Sequence, residues 1–439
     1  MAHFGIISFS SSGPLNTMLA LGHALVDRGH TVTAIAFADA RPFAEAAGVG
    51  FRMIGEGRFP VGSFARSLSR LGDLSGLSAA RYSLALLHEQ AQIVLEQGPD
   101  ACRRLGVDAL LVNQSATAGG TVADVVGIPF VTVCSAVPLN EDPLVPPVLF
   151  PWGYDPGPWG RLRNRLAYRA MWPLVRPIMR SIGQARARHG LPARRTVDEL
   201  FSPLAQLSHL PEAFDFPRQR LPPWFHYTGP FHTTTSRAKV EFPWERVSQD
   251  RPLVYASMGT LQNRQLWVFD RILSACEGLD AQLVVSMGGG AEVDSISAPA
   301  DVIVVRYAPQ LELLARARLA IIHAGMNSTI ECLMHAVPMV AIPVTNDQPG
   351  AAARIAHSGA GRMVSLRSIR QGAAPLRAAV RSVLFEPAYQ QRARVLAEAC
   401  RASGGMLEAV EIVEEVASTG RPVLRSARST AERAPSSGR

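Results

Sequence analysis

Three short runs in the second half of the chain carry side chains suited to holding a charged, hydroxyl-rich small molecule. They are Tyr307-Ala308-Pro309-Gln310, His323-Ala324-Gly325-Met326-Asn327-Ser328-Thr329-Ile330-Glu331 and Pro343-Val344-Thr345-Asn346-Asp347-Gln348. In the middle run His323 and Gly325 fall where an apolar strand ends, and Asn327-Ser328-Thr329 open a helix. The free N–H groups and positive dipole end of such a helix attract a diphosphate. Glu331, one turn farther on the same face, offers its carboxylate to a ribose diol, and Tyr307 offers a flat ring for a base to stack on. Asp347 and Gln348 supply the acceptors and donors that sugar hydroxyls need. Each residue alone has a plainer reading: a capped helix start, a hydrogen-bonded His at a strand end, an Asp-Gln turn. Their order on consecutive strand-to-helix loops is what joins them into one candidate site.

Such loops need a scaffold, and apolar strand-like runs alternate along the chain with helical patterns, the mark of a parallel α/β sheet. Phe4–Phe9, Thr31–Phe37, Ala109–Val112 and Pro129–Val133 read as buried strands of one doubly wound sheet. Leu253–Ala256, Gln282–Val285, Val302–Val305, Leu319–Ile322 and Met339–Ile342 read as a second series. The expected division is a Rossmann-like domain over 1–230, a linker over 231–250 where breakers accumulate, a second Rossmann-like domain over 251–417, and a disordered tail over 418–439. Ligands then belong in the cleft between the domains, at the carboxyl ends of the strands.

The block 307–348 resembles the donor-binding signature of the UDP-glycosyltransferase superfamily, glycosyltransferase family 1, and Ser257-Met258-Gly259-Thr260 resembles its phosphate-contacting loop. The resemblance implies the GT-B fold, two Rossmann-like domains facing a cleft. It further implies that Tyr307 stacks on the base with Gln310 beside it. His323, Asn327, Ser328, Ser257 and Thr260 would contact the diphosphate, Glu331 the ribose, and Asp347 with Gln348 the transferred sugar. Ala136-Val137-Pro138-Leu139-Asn140, Ser202–Leu207 and Asp215-Phe216-Pro217-Arg218 extend the likeness to zeaxanthin-glucosyltransferase-like bacterial proteins, over most of residues 1–415. The implied activity is inverting transfer of a hexose, glucose in the first instance, from a UDP-sugar to a hydroxyl of a lipophilic, terpenoid-like acceptor. The nucleotide sugar is a co-substrate, and neither a cofactor nor a metal is expected.

One part of the family pattern is missing. Where the family has a Gly-His pair at the first helix and an acidic residue after a later strand, this chain has Gly13-Pro14 and Asn113. Proline accepts no proton and asparagine carries no charge to stabilise an imidazolium, yet an alcohol needs a base to attack an anomeric carbon. Three explanations stand: another carboxylate serves, with Asp142 of Asn140-Glu141-Asp142-Pro143 as the candidate; the acceptor brings its own nucleophilic group; or the protein is a nucleotide-sugar-binding partner or catalytically impaired homologue. A nicotinamide-dependent dehydrogenase is disfavoured because the first strand-to-helix turn lacks G-x-G-x-x-G.

Composition bounds the rest. Hydrophobic residues make up 47% of the 439, enough to bury two large cores. The net charge of +8 is carried by arginine, Lys239 being the only lysine, and no nucleic-acid motif accompanies it. Between Arg161 and Arg195 lie ten arginines and no acid, interleaved with Trp172 and preceded by Trp152 and Trp159. A solvated helical face is one reading; contact with an anionic membrane surface is the other. Five scattered cysteines without a C-x-x-C pair, and a start without a leader-like segment, point to reduced thiols in a cytoplasmic protein.

Overall fold

The computed structural model describes residues 1–9, 12–72, 74, 76–231, 240–259, 265–289 and 293–425. The first sheet is formed by β1 (His3–Ile7), β2 (Thr31–Ala36), β3 (Gly50–Met53), β4 (Ala109–Asn113), β5 (Phe130–Cys134), β6 (Gln206–Ser208) and β7 (Phe225–Tyr227). Its strand order is β3-β2-β1-β4-β5-β6-β7, all parallel. The second sheet is formed by β8 (Leu253–Ser257), β9 (Gln282–Ser286), β10 (Ile303–Val305), β11 (Ala317–Ile322), β12 (Met339–Ala341) and β13 (Gly361–Met363). Its order is β10-β9-β8-β11-β12-β13, again all parallel. β1, β4, β5, β8 and β9 are almost wholly buried, which is why they read as continuous apolar runs rather than alternating ones. β3, β6, β7 and β13, of three or four residues, lie outside the expected runs; β10 and β12 are as short, but apolar neighbours lengthen them into the legible runs Val302–Val305 and Met339–Ile342.

In both sheets the order reverses next to the first strand, between β1 and β4 and between β8 and β11. Chains leaving neighbouring strands there turn to opposite faces of the sheet and open a crevice. The register places Ile7 beside Val112 in the first sheet and Ile322 beside Ser257 in the second. The loops that follow, with Gly13 and Pro14, Asn113, Ser257 and His323, therefore start from the two switch points.

The halves are packed against one another. Leu210, Phe214, Phe225 and Tyr227 of the first domain share a buried cluster with Ala351, Ile355 and Leu396 of the second. At its edge, Asp215 accepts from Arg354 Nε at 2.6 Å, Arg218 Nε at 2.8 Å and the Tyr227 hydroxyl at 2.7 Å. Burial alone would push the Asp215 carboxyl up, but the guanidiniums of Arg218 and Arg354 hold it well below the usual carboxylate range. Arg218 also donates to Asn140 O and Pro138 O. The Asp215–Arg218 motif is thus an interdomain clasp.

The second domain does not keep its C-terminal helix. The expected boundary at 417 put residues 405–417 there, but the helix Gly405–Thr419 lies over the first domain's helix Ser12–Asp27. Ala409, Val410, Ile412, Val413 and Val416 enter the first domain's core, and Glu414 pairs with Arg28 at 2.8 Å and His30 at 2.9 Å. The apolar stripe of this helix is as compatible with either sheet, so only tertiary packing decides. The chain then runs along the first domain, with Val423 O accepting from His226 at 3.0 Å. Residues 232–239 of the expected linker and 426–439 of the expected tail lie outside the described residues.

Candidate active site

A cleft of about 600 Å³ lies between the domains and is lined from both. Gly13, Pro14 and Asn113 reach it from the first sheet, and Ser257, His323 and Asn327 from the second.

The wall from the second domain is polar and interlocked. His323 leaves β11 and sits between two glycines: a Cβ at Gly259 would meet its ring at 2.5 Å, and one at Gly325 would collide with it. Gly259 also adopts φ +73°, which side chains rarely tolerate. Burial pushes the His323 imidazole down to about 4, so at neutral pH it is uncharged and donates a single N–H. Ala324 follows at φ +62°, a strained conformation for a residue with a Cβ, and such strain concentrates where a site fixes its backbone. The turn aims the start of the helix Met326–Met334 into the cleft, with Gly325 as its extended N-cap.

On that helix Asn327 bridges the domains, donating from Nδ2 to Gly13 O at 3.2 Å and accepting from Thr17 Oγ1 at 3.3 Å. Gln310 ties three residues of the site together. Its carboxamide donates to Glu331 Oε2 at 2.5 Å and to Ser328 Oγ at 3.3 Å, and accepts from the Tyr255 hydroxyl at 2.9 Å. Glu331 is 4% exposed, so its carboxylate is held in one place for a diol. Tyr307 is half exposed, its ring lying over the cleft wall where a Cβ on Gly289 would strike the hydroxyl.

After β12, Asn346 takes φ +56°, which asparagine tolerates, and accepts from Ser83 Oγ of the first domain at 2.9 Å. Asp347 and Gln348 follow at the start of the helix Gln348–His357. Burial pushes the Asp347 carboxyl up. Gln348 uses its oxygen to accept from Val344 N at 2.8 Å and Thr345 N at 3.1 Å, which fixes the loop. Ser257, Tyr307, Gln310, His323, Gly325, Asn327, Ser328, Glu331, Asp347 and Gln348 all line this one cleft, with Gly259 among them. Thr260 lies outside the described residues.

The wall from the first domain is mostly apolar. Leu84 and Leu87 come from the helix Gly76–Leu105, Met171, Val175 and Ile178 from the helix Pro158–Arg188, and Val148 and Leu149 from the loop after β5. Pro14 sits in the first turn of its helix, where the N–H it lacks would have no intrahelical partner. Asn113 spends both ends of its amide locally, donating to Ser135 Oγ at 2.6 Å and accepting from Ser115 N at 3.0 Å. Neither supplies a base.

Asp142 does not supply one either, and that expectation is corrected. Its carboxylate is 2% exposed, accepts from Leu144 N, Gln219 N and Arg220 N at 2.8, 2.6 and 3.0 Å, and does not line the cleft. Its lone pairs fasten one loop to another. The neighbouring Glu141 lines the cleft instead. Partial burial and then the charge of Asp198 push its carboxyl above the ordinary value of 4.5. The expected loop borders the cleft, but through Glu141 rather than Asp142, because adjacent side chains in an irregular loop have no period to say which one points in. Tyr255 was also missed: it lies inside a strand of wholly buried residues and carries no sequence mark of its role.

A family model described as UDP-glucoronosyl and UDP-glucosyl transferase matches residues 103–401. The chain is 33% identical over 430 residues to a zeaxanthin glucosyltransferase of Pantoea ananas, covering 97% of this chain and 98% of that protein. It is 33% identical over 347 residues to a zeaxanthin glucosyltransferase of Pseudescherichia vulneris, covering 78% and 81%. Among solved structures, the glycotransferase of kitacinnamycin superposes with a TM-score of 0.74 at 22% identity, over 94% of this chain and 98% of that one. A parallel double-sheet GT-B scaffold, a polar cleft wall at the second switch point and a family match over more than half the chain agree: this protein is a glycosyltransferase of the UDP-glucoronosyl and UDP-glucosyl transferase family.

Proposed function

We propose that the protein transfers glucose from UDP-glucose to a hydroxyl of a lipophilic, carotenoid-like acceptor. The observation that carries this reading is the unlikeness of the two cleft walls. One is dense in hydrogen-bonding groups and ends at a helix N-terminus; the other is mostly leucine, valine, methionine and aromatic side chains, with polar residues such as Asn113, Ser83 and Glu141 among them. A nucleotide sugar matches the first and a long apolar molecule the second. The names of the two zeaxanthin glucosyltransferase relatives support the choice of sugar and of acceptor class.

In this reading the diphosphate rests against the start of the helix Met326–Met334, beside neutral His323, where unpaired N–H groups offset the charge that grows on the departing UDP. Glu331 holds the ribose, Tyr307 the base, and Asp347 with Gln348 the hexose. The acceptor oxygen bonds to the anomeric carbon from the face opposite the diphosphate, the bond from that carbon to the diphosphate oxygen breaks, and UDP leaves with the electron pair, so configuration inverts. Glu141 takes the hydroxyl proton. It is the one carboxylate of the first domain that lines the cleft among the described residues, and its raised pKa makes it a better base than an ordinary carboxylate.

The test is incubation of the full chain with UDP-glucose and a dihydroxylated carotenoid in detergent, with chromatography of the product. A carotenoid glucoside and an equal amount of UDP are expected. Tight binding of UDP without transfer to this or any other lipophilic alcohol would overturn the reading in favour of a nucleotide-sugar-binding protein. A gain of transfer on introducing Pro14→His with Asn113→Asp would confirm that reversal.

A further inference from the structure

The helix Pro158–Arg188 has two working faces. Inward, Met171, Val175 and Ile178 line the acceptor half of the cleft. Outward, Trp159, Leu162 and Leu166 fall on one stripe at helical spacing and are 80%, 45% and 58% exposed. Arg165, Arg169, Arg176 and Arg180 run beside that stripe, all exposed, and none makes an ion pair or side-chain hydrogen bond among the described residues. The chain carries no Asp or Glu from 156 to 197, so nothing on this segment neutralises them. Trp172 belongs to both faces: it is 40% exposed and also lines the cleft.

Exposed tryptophan and leucine flanked by unpaired arginine do not suit a purely solvated face, which gains nothing from the apolar stripe. They suit an interface with acyl chains on one side and anionic headgroups on the other, where the ring and aliphatic groups bury and the guanidiniums pair with phosphate. We infer that this outward face of the helix Pro158–Arg188 docks on an anionic bilayer surface and that a lipophilic acceptor passes from the bilayer past Trp172 into the cleft. The charge pattern selects the occupant, since a neutral apolar partner would leave the arginine row unpaired. The docking rests on this face alone; the passage of acceptor rests in addition on the function proposed above.

Vesicle cosedimentation of the full chain tests it, with phosphatidylcholine alone and with phosphatidylcholine mixed with phosphatidylglycerol. The expected result is binding to the anionic vesicles, weakened by salt, and little binding to the neutral ones. Reversal of three charges in Arg165→Glu/Arg169→Glu/Arg176→Glu lowers it about tenfold or more. Trp159→Ala/Leu166→Ala lowers binding while leaving its salt dependence. UDP affinity, measured by calorimetry on each variant, stays at the native value and reports an intact donor site. Transfer to an acceptor held in vesicles falls with vesicle binding, whereas transfer to the same acceptor in detergent does not.

Equal binding to neutral and anionic vesicles, or no binding by protein that binds UDP normally, overturns the docking and leaves the proposed function untouched. Sedimentation equilibrium showing a dimer that Trp159→Ala/Leu166→Ala dissociates assigns the face to a second copy and likewise overturns it. Vesicle binding by a protein that fails to bind UDP overturns the proposed function and leaves the docking standing.

Discussion

The two walls of the cleft are built by opposite strategies. The donor wall is drawn largely from one stretch of 42 residues, Tyr307 to Gln348, in which each strand-to-helix loop hands the next a polar side chain. Its members hold one another: Gln310 alone joins Tyr255, Ser328 and Glu331. The acceptor wall gathers side chains from segments scattered between Phe9 and Leu200; of its polar residues Asn113 is tied to close neighbours, while Ser83 reaches across to Asn346 and Glu141 lines the cleft. A pyrophosphate and a ribose present fixed charges and hydroxyls, and matching them needs fixed partners. An apolar acceptor needs volume and dryness, which many side chains can supply.

Removing the proposed proton acceptor should produce the largest break, because it disables chemistry while leaving both walls intact. Glu141→Gln is expected to lower kcat about 10²–10⁴-fold with UDP affinity unchanged, as measured by steady-state kinetics and calorimetry. The sign of the pH dependence follows. As the proposed base Glu141 would act only when deprotonated, and its carboxyl is raised above the ordinary 4.5, so native kcat/KM is expected to fall as pH drops through that raised value. The glutamine variant should lack this acid limb.

The clasp between the walls comes next. Asp215→Ala strands two buried guanidiniums and should cost about 3–5 kcal/mol in urea unfolding. An unchanged midpoint would mean that the clasp does not hold the domains together.

The donor wall is expected to fail selectively with Glu331→Ala, which removes the carboxylate assigned to the ribose. UDP binding should weaken by about 1.5–3 kcal/mol, roughly ten- to a hundredfold, with the acceptor KM unmoved. The acceptor wall should yield more gently: Leu87→Ala, on its apolar side, raises the acceptor KM by about 1 kcal/mol, near fivefold, and spares UDP binding. If both substitutions changed both ligands equally, the walls would not be the separate devices described above. The smallest effect belongs to Ser83→Ala, which deletes its hydrogen bond to Asn346 across the cleft. It should cost about 0.5 kcal/mol, seen as a twofold change in kcat/KM.

Legibility in the sequence followed these two strategies. The donor residues could be read because they are close in sequence and each follows a strand whose apolar run is unmistakable. The polar Gly-Met-Asn-Ser-Thr start after Leu319–Ile322 required no knowledge of packing. Glu141 and Asp142 show the opposite case, since both are carboxylates in one proline-bounded loop. Only the approach of Gln219 N and Arg220 N to Asp142 made it a fastener and left its neighbour to the cleft. The Asp215–Arg218 run was visible as a motif, yet its partner Arg354 lies 139 residues away, a distance no local pattern spans.

From its sequence alone this chain was committed to two parallel α/β sheets and to a polar, anion-binding set of loops in the second half, because periodicity and helix-start chemistry are local properties of neighbouring residues. Which carboxylate faces the cleft, which sheet receives the helix Gly405–Thr419, and how the clasp at Asp215 sets one wall against the other were decided by the tertiary structure. These outcomes depend on pairs of groups far apart in the chain, whose burial and hydrogen bonding exist only once the two domains have packed.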